Sequence, residues 1–111
     1  MNEVHLSLGE LADLSGLETK AKMKALEILR EGASRIYDDA YAMCPVRTGA
    51  LRNTLRIEDT GKGVAVAAGG GLVTYAAIVN ERVPFLDLAF WSNAPSIESR
   101  LRHEVGDVLT E

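Results

Sequence analysis

Between Leu17 and Met43 apolar residues recur at Leu17, Ala21, Ala25, Ile28, Leu29, Ile36, Tyr37, Ala40 and Met43. These three- and four-residue steps place them on one face of a helix. Pro45 bounds the run, because a proline pushes the residue before it, Cys44, out of the helical region. The pattern predicts one helix of roughly 28 residues, on the order of 40 Å long. Its start is marked by Ser15 and Glu18, the Ser-x-x-Glu spacing in which each side chain satisfies a backbone donor of the other. The like-charged pairs Lys20/Lys24 and Glu27/Glu31 offset Glu31/Arg35, so surface pairing adds little and burial of the stripe must hold the helix. A chain of 111 residues covers such a helix poorly by itself, so part of its length is expected to pack on a neighbouring subunit.

The remaining pattern surrounds that helix with a small sheet. Val4, Leu6 and Leu8 alternate and then pass to the three-residue spacing of Leu8, Leu11 and Leu14, which reads as a short strand entering a helical turn. Leu51 to Glu58 alternates Leu51, Asn53, Leu55 and Ile57 against Arg52, Thr54, Arg56 and Glu58, a half-buried strand with one charged face. A turn at Thr60-Gly61-Lys62-Gly63 leads to Val64–Ala68, so a β-hairpin is expected from Leu51 to Ala68. Gly69, Gly70 and Gly71 read as a mobile loop, and Leu72–Val79 as a strand or a passage from strand to helix. Pro84 opens a helix carrying Phe85, Leu86, Leu88, Ala89 and Phe90. Asn93 with Pro95 opens another, whose face is Ile97, Leu101, Val105 and Val108. The expected class is α+β: a long N-terminal helix packed on a small antiparallel β-sheet with C-terminal helices, in one domain spanning residues 1–111.

Composition narrows the function. No apolar run is long enough to span a bilayer and Met1–Gly16 lacks a leader pattern, so a soluble protein made in the cytoplasm, with no membrane association, is expected. With 12 basic and 16 acidic residues the formal charge is −4, and the charges are interspersed, which disfavours tight binding to nucleic acid. Cys44 is the only cysteine and reads as a small buried apolar residue.

No set of residues resembles catalytic machinery. His5 and His103 lie near opposite ends without a motif and read as surface histidines, while the adjacent Asp38 and Asp39 project about 100° apart on a helix, wrong for a shared proton or a metal. The three glycines are not followed by the Lys-Ser/Thr pair of a phosphate cradle. The chain is expected to be no enzyme and to need neither cofactor nor metal.

The most informative stretch is Cys44-Pro45-Val46-Arg47-Thr48-Gly49-Ala50-Leu51-Arg52, where a proline helix stop, a Thr-Gly turn and an apolar-plus-charged strand start follow one another. In Pro45, Thr48, Gly49, Leu51 and Arg52 it resembles the Pro-x-x-Thr-Gly-x-Leu-Arg motif of the small tailed-phage neck and tail-completion proteins, also called minor tail or head-tail joining proteins. Tyr75, Ala76 and Val79 resemble the family's Tyr-Ala-x-x-Val-Glu stretch, and Pro84, Phe85 and Leu86 its Pro-Phe-Leu segment. The likeness runs from about Val4 to Ala89. Two positions depart from it. Asn80 stands where the family has Glu followed by an aromatic residue, Gly and Thr, with a short loop to Pro84, and Cys44 replaces an alanine.

The resemblance implies a structural virion protein of the neck or tail, assembled in the host cytoplasm. It implies a homo-oligomeric, six-fold ring between the head-closure (adaptor) protein and the tail terminator or tail tube, with DNA only as cargo passing through the channel. A cyclic ring needs two different complementary patches on each subunit. Trp91, with Phe90, is expected at a subunit or partner interface, since large aromatics are enriched at interface cores, although core packing accounts for them equally well. The alternative from another class is a small prophage-encoded regulatory binding module.

Overall fold

The computed structural model describes residues 3–12, 14–45, 49–60 and 63–110. The alternating N-terminus forms strand β1 (Glu3–Ser7) and enters a 3₁₀ turn (Leu8–Leu11), capped by the Ser7 side chain accepting from the Gly9 N–H. Helix α1 (Thr19–Met43) follows. A second 3₁₀ turn (Arg52–Thr54) precedes strands β2 (Arg56–Thr60) and β3 (Gly63–Gly69), then helices α2 (Ala76–Arg82) and α3 (Phe85–Arg100). A π-helical turn (Leu101–Val105) and the short α4 (Gly106–Leu109) end the described chain. The class is α+β.

The sheet has the order β1-β3-β2, antiparallel throughout, with Leu6 opposite Val66 and Ile57 opposite Val66. β3 is central and buried on both faces. Val64, Val66 and Ala68 point into the core, while Ala65 and Ala67 lie beneath charged side chains that reach across from the flanking strands. There Arg56 Nη2 meets Glu3 at 2.6 Å, Arg56 Nε meets Glu58 at 2.9 Å, and His5 Nδ1 meets Glu58 at 2.9 Å. The small side chains of β3 are what allow these groups to span it.

α1 contributes Ala21, Ala25, Ile28, Leu29, Ala33, Ile36 and Ala40 to the core, against Phe85, Leu86, Ala89, Phe90 and Ile97 of α3 and the inner face of the sheet. The two helices run antiparallel, with Asp39 bonded to Asn93 and Glu31 to Arg100. They approach closely at Gly32, where a Cβ would lie 2.5 Å from Ile97 Cδ1. Much of the apolar stripe of α1 is covered within one chain, because α3 continues into the π turn and runs alongside it. Met43, counted with the stripe, is exposed.

Several local expectations give way. α1 is 25 residues long and begins at Thr19 with Glu18 as its N-cap residue, later than the start expected at Ser15. The alternation from Leu51 is broken by the 3₁₀ turn, where Thr54 Oγ1 donates to the Leu51 carbonyl at 2.6 Å. Leu51 and Leu55 are buried, but Asn53 and Ile57 face solvent, so the hairpin begins only at Arg56. Gly61 and Lys62 of the expected hairpin turn lie outside the described residues. Gly69–Gly71 form no open loop: Gly70 and Val73 exchange two backbone hydrogen bonds, each 3.0 Å, and close a tight turn. Leu72–Val79 resolves into that turn followed by α2. Pro95 lies inside α3 and does not open a new helix. It is on the exposed side, so the Trp91 carbonyl that loses its partner faces the solvent side.

Candidate assembly surface

The corner after α1 is built from the motif residues outward. Cys44 caps α1, its N–H bonding the Ala40 carbonyl at 2.8 Å, and its thiol is buried. Burial pushes the thiol pKa up, against a smaller opposing pull from Arg52. Pro45 is exposed, Gly49 takes a φ of +82° that favours glycine, and Leu51 inserts into the core. Arg52 reaches back over the last turn of α1, with its guanidinium 4.3 Å from the centre of the Tyr41 ring and its Nε donating to the Tyr41 carbonyl at 3.0 Å. A cation there satisfies a carbonyl the helix end leaves unpaired and opposes its partial negative charge. Tyr41 in turn stacks on Tyr37 at 6.1 Å. Thr48 lies outside the described residues.

This corner is bonded to the glycine turn. Thr54 Oγ1 accepts from the Gly69 N–H at 2.7 Å, and Arg56 Nη1 donates to the Gly69 carbonyl at 2.7 Å and to the Thr54 carbonyl at 3.0 Å. Corner, hairpin end and glycine turn thus form one hydrogen-bonded unit, although they are separate segments of sequence.

The other motif residues divide. Tyr75 is exposed and stands at the start of α2; Pro84 stands at the start of α3; Phe85 is completely buried. The Phe90/Trp91 pair also splits: Phe90 is in the core, whereas Trp91 is 59% exposed and lies edge-on to Phe90 with ring centres 4.9 Å apart. Core packing accounts for Phe90, and Trp91 is left to solvent or a partner. Among the described residues, six of the eleven exposed large apolar side chains fall in one stretch of sequence: Leu72, Tyr75, Ile78, Val83, Leu88 and Trp91.

Sequence reasoning missed the exposure of Leu72 and the capping role of Asn80. Leu72, at the tip of the glycine turn, is 99% exposed, and its signal was a large apolar residue directly after three glycines. Asn80 is buried, its Oδ1 accepting from the Leu86 N–H at 3.1 Å and its Nδ2 donating to Asp87 at 3.2 Å; no local pattern marks such a long-range cap.

Both histidines are exposed, and His5 is bonded to Glu58. Asp38 and Asp39 are exposed as well, and Asp39 accepts from Asn93. Among the described residues no three His, Cys, Asp or Glu side chains converge as metal ligands, and no helix is long and apolar enough to cross a membrane. The geometry offers a folded scaffold with exposed apolar side chains.

A family model described as "Bacteriophage HK97-gp10, putative tail-component" matches residues 10–81. The matched region runs from the first 3₁₀ turn through α1, the corner, the hairpin and the glycine turn almost to the end of α2, and leaves out α3. No curated protein and no solved structure matches the chain.

Proposed function

Since the chain belongs to the HK97-gp10-like family of phage tail components, we propose that it is a subunit of the head-tail connector. The family assignment makes it a structural phage protein of the virion that works in contact with other phage structural proteins. In the finer reading it sits at the neck, as a tail-completion ring of six copies between the head-closure protein and the tail terminator or tube, and keeps the DNA channel continuous. The chemistry is binding without turnover.

Exposure of Trp91 carries this reading. A tryptophan 59% exposed, in a stretch that also exposes Ile78, Val83 and Leu88, is costly to leave in water and typical of a surface that another protein covers. The formal charge of −4 supports a lumen past which DNA slides without sticking. Pro45, Gly49, Leu51 and Arg52, together with Thr48, then serve as the fold-defining corner, and Tyr75, Pro84, Phe85 and Trp91 as the surface and the support behind it.

Native mass measurement of the purified chain, with projection images of the assembled species, tests the reading. Closed rings are expected, together with the protein in purified virions. A chain that remains monomeric at every concentration and is missing from particles overturns it.

A further inference from the structure

A ring requires each subunit to present two different surfaces that fit each other, and the two ends of this molecule carry such a pair. At one end Leu72 projects from the glycine turn, 99% exposed. The turn that holds it is braced by hydrogen bonds. Gly70 and Val73 bond each other twice, and both polar backbone groups of Gly69 are taken, one by Thr54 and one by Arg56. Gly71 takes a φ of +59° at the first central position, the glycine-first geometry of a two-residue hairpin turn. An exposed leucine on a mobile loop is unremarked surface; one on a braced turn pays little conformational entropy when it is buried.

At the other end lies a mainly apolar groove of about 320 Å³, lined by Leu11, Leu17, Ala25, Leu101 and Val105 together with Glu98 and Arg102. A cavity of about 150 Å³ lined by similar side chains accepts a benzene ring, so a leucine side chain fits here. The groove opens at the π-helical turn, where the helix widens and Leu101 and Val105 form one wall.

The knob cannot reach the groove of its own chain. The corner that braces the glycine turn is tied by Arg52 to Tyr41 in the last turn of α1, whereas the groove includes Ala25 near its start. Sixteen residues of helix separate them, about 24 Å at 1.5 Å per residue. Strand β1 agrees: Glu3 pairs with Gly69 at the knob end, and Ser7 leads into Leu8–Leu11 at the groove end.

We propose that Leu72 seats in the Leu17–Leu101 groove of a second copy of this chain, as the head-to-tail contact of the assembly. Such a contact joins two different surfaces, so it propagates and closes where the rotation per copy allows. The inference rests on the ring reading above and names its contact.

Three proteins are compared by sedimentation: the full chain, Leu72→Asp, which keeps its groove, and Leu17→Glu, which keeps its knob. Each variant alone is expected to self-associate at least about tenfold more weakly than the parent, because a buried leucine is lost or a carboxylate enters an apolar seat. Mixed together, the two variants are expected to form a one-to-one dimer, since a single intact knob-and-groove contact remains. A Thr74→Cys/Arg102→Cys variant on a Cys44→Ala background, which keeps Leu72 and is altered only at the exposed Thr74 and Arg102 and the buried Cys44, is expected to give a reducible ladder of cross-linked oligomers even if Leu17→Glu fails to fold. A parent chain that is always monomeric overturns this contact and the ring together. An oligomeric parent with an equally oligomeric Leu72→Asp, or without a cross-linked ladder, overturns the contact and leaves the ring reading standing.

Discussion

The side-chain carbonyl of Asn80, a residue of α2, accepts the backbone N–H of Leu86 at 3.1 Å and so caps helix α3 from outside it. α3 needs this, because its own N-cap residue is Pro84, whose side chain has nothing to offer the free N–H groups of the first turn. Asn80 Oδ1 also lies 3.5 Å from the Asp87 N–H, and its amide is held by the Asp87 carboxylate. Leu86 and Asp87 occupy the positions that a local cap would serve. The short link between the two helices brings a buried asparagine into the place of the glutamate expected there from the resemblance.

Asn80→Ala is therefore expected to cost about 1–3 kcal/mol, since it removes a cap and leaves a buried N–H unsatisfied. Denaturant unfolding measures the loss, and Asn80→Asp combined with Asp87→Asn, which keeps the accepting oxygen without setting two carboxylates against each other, is expected to retain more stability than Asn80→Ala. Equal losses for the two would show that the acceptor is unimportant.

The close approach of α1 and α3 at Gly32 predicts a sign opposite to helix propensity. An alanine in a helix is worth about 1 kcal/mol over glycine, but the new Cβ would stand 2.5 Å from Ile97 Cδ1 and 2.7 Å from Cγ1. Gly32→Ala is expected to destabilise by about 1–2 kcal/mol. In an Ile97→Ala background, where both clashing atoms are gone, the same change is expected to be neutral or stabilising. A double-mutant cycle by thermal or urea unfolding reads the coupling, and a coupling near zero would contradict the contact.

Cys44 is expected to be inert in the native protein. Burial raises its pKa and hides the sulfur, so little thiolate exists near neutral pH and less is reachable. Labelling with a maleimide at pH 7 should proceed slowly and rise steeply in denaturant. Immediate labelling of the native protein would refute the buried placement.

Two carboxylates held by arginines set an acid limit to stability. The Arg56 hydrogen bond holds Glu58 below its ordinary value of 4.5, with His5 adding to the effect, and the Arg100 hydrogen bond does the same for Glu104. A carboxylate depressed in the folded state contributes stability that is complete above its unfolded pKa and lost as pH falls through the folded one. Stability from these groups should be flat from about pH 6 to 8 and decline below about 4.5. Arg56→Gln should flatten the part of that decline owed to Glu58. Unfolding midpoints measured across pH 3–7 would settle it, and an unchanged acid slope in the variant would exclude Glu58 as a contributor.

Much of the fold was legible because it depends on neighbours in sequence. The stripe of α1, its stop before Pro45, strand β1 with its turn, and the small-residue strand at Val64–Ala68 follow from periodicity and from the conformational limits of proline. At the corner the helix stop before Pro45 was legible, and the structure buries Leu51 and sets Arg52 on the last turn of α1. Errors fell where a longer-range contact overrode local pattern. A hydroxyl bond from Thr54 turned an apparent strand into a 3₁₀ turn, a solvent-facing Pro95 was tolerated inside α3, and Thr54 with Arg56 converted a glycine-rich loop into a braced knob.

The sequence by itself determined the class of the fold, the span of its main helix to within a few residues and its kinship with phage tail components, because each rests on the order of residues along one chain. Only the tertiary structure decided what covers the helix and what is left uncovered. Phe90 and Trp91 are neighbours of the same chemical kind, yet one fills the core and the other faces solvent. Adjacent positions on a helix point about 100° apart, and which direction is inward is set by where α1 lies, not by the residues themselves.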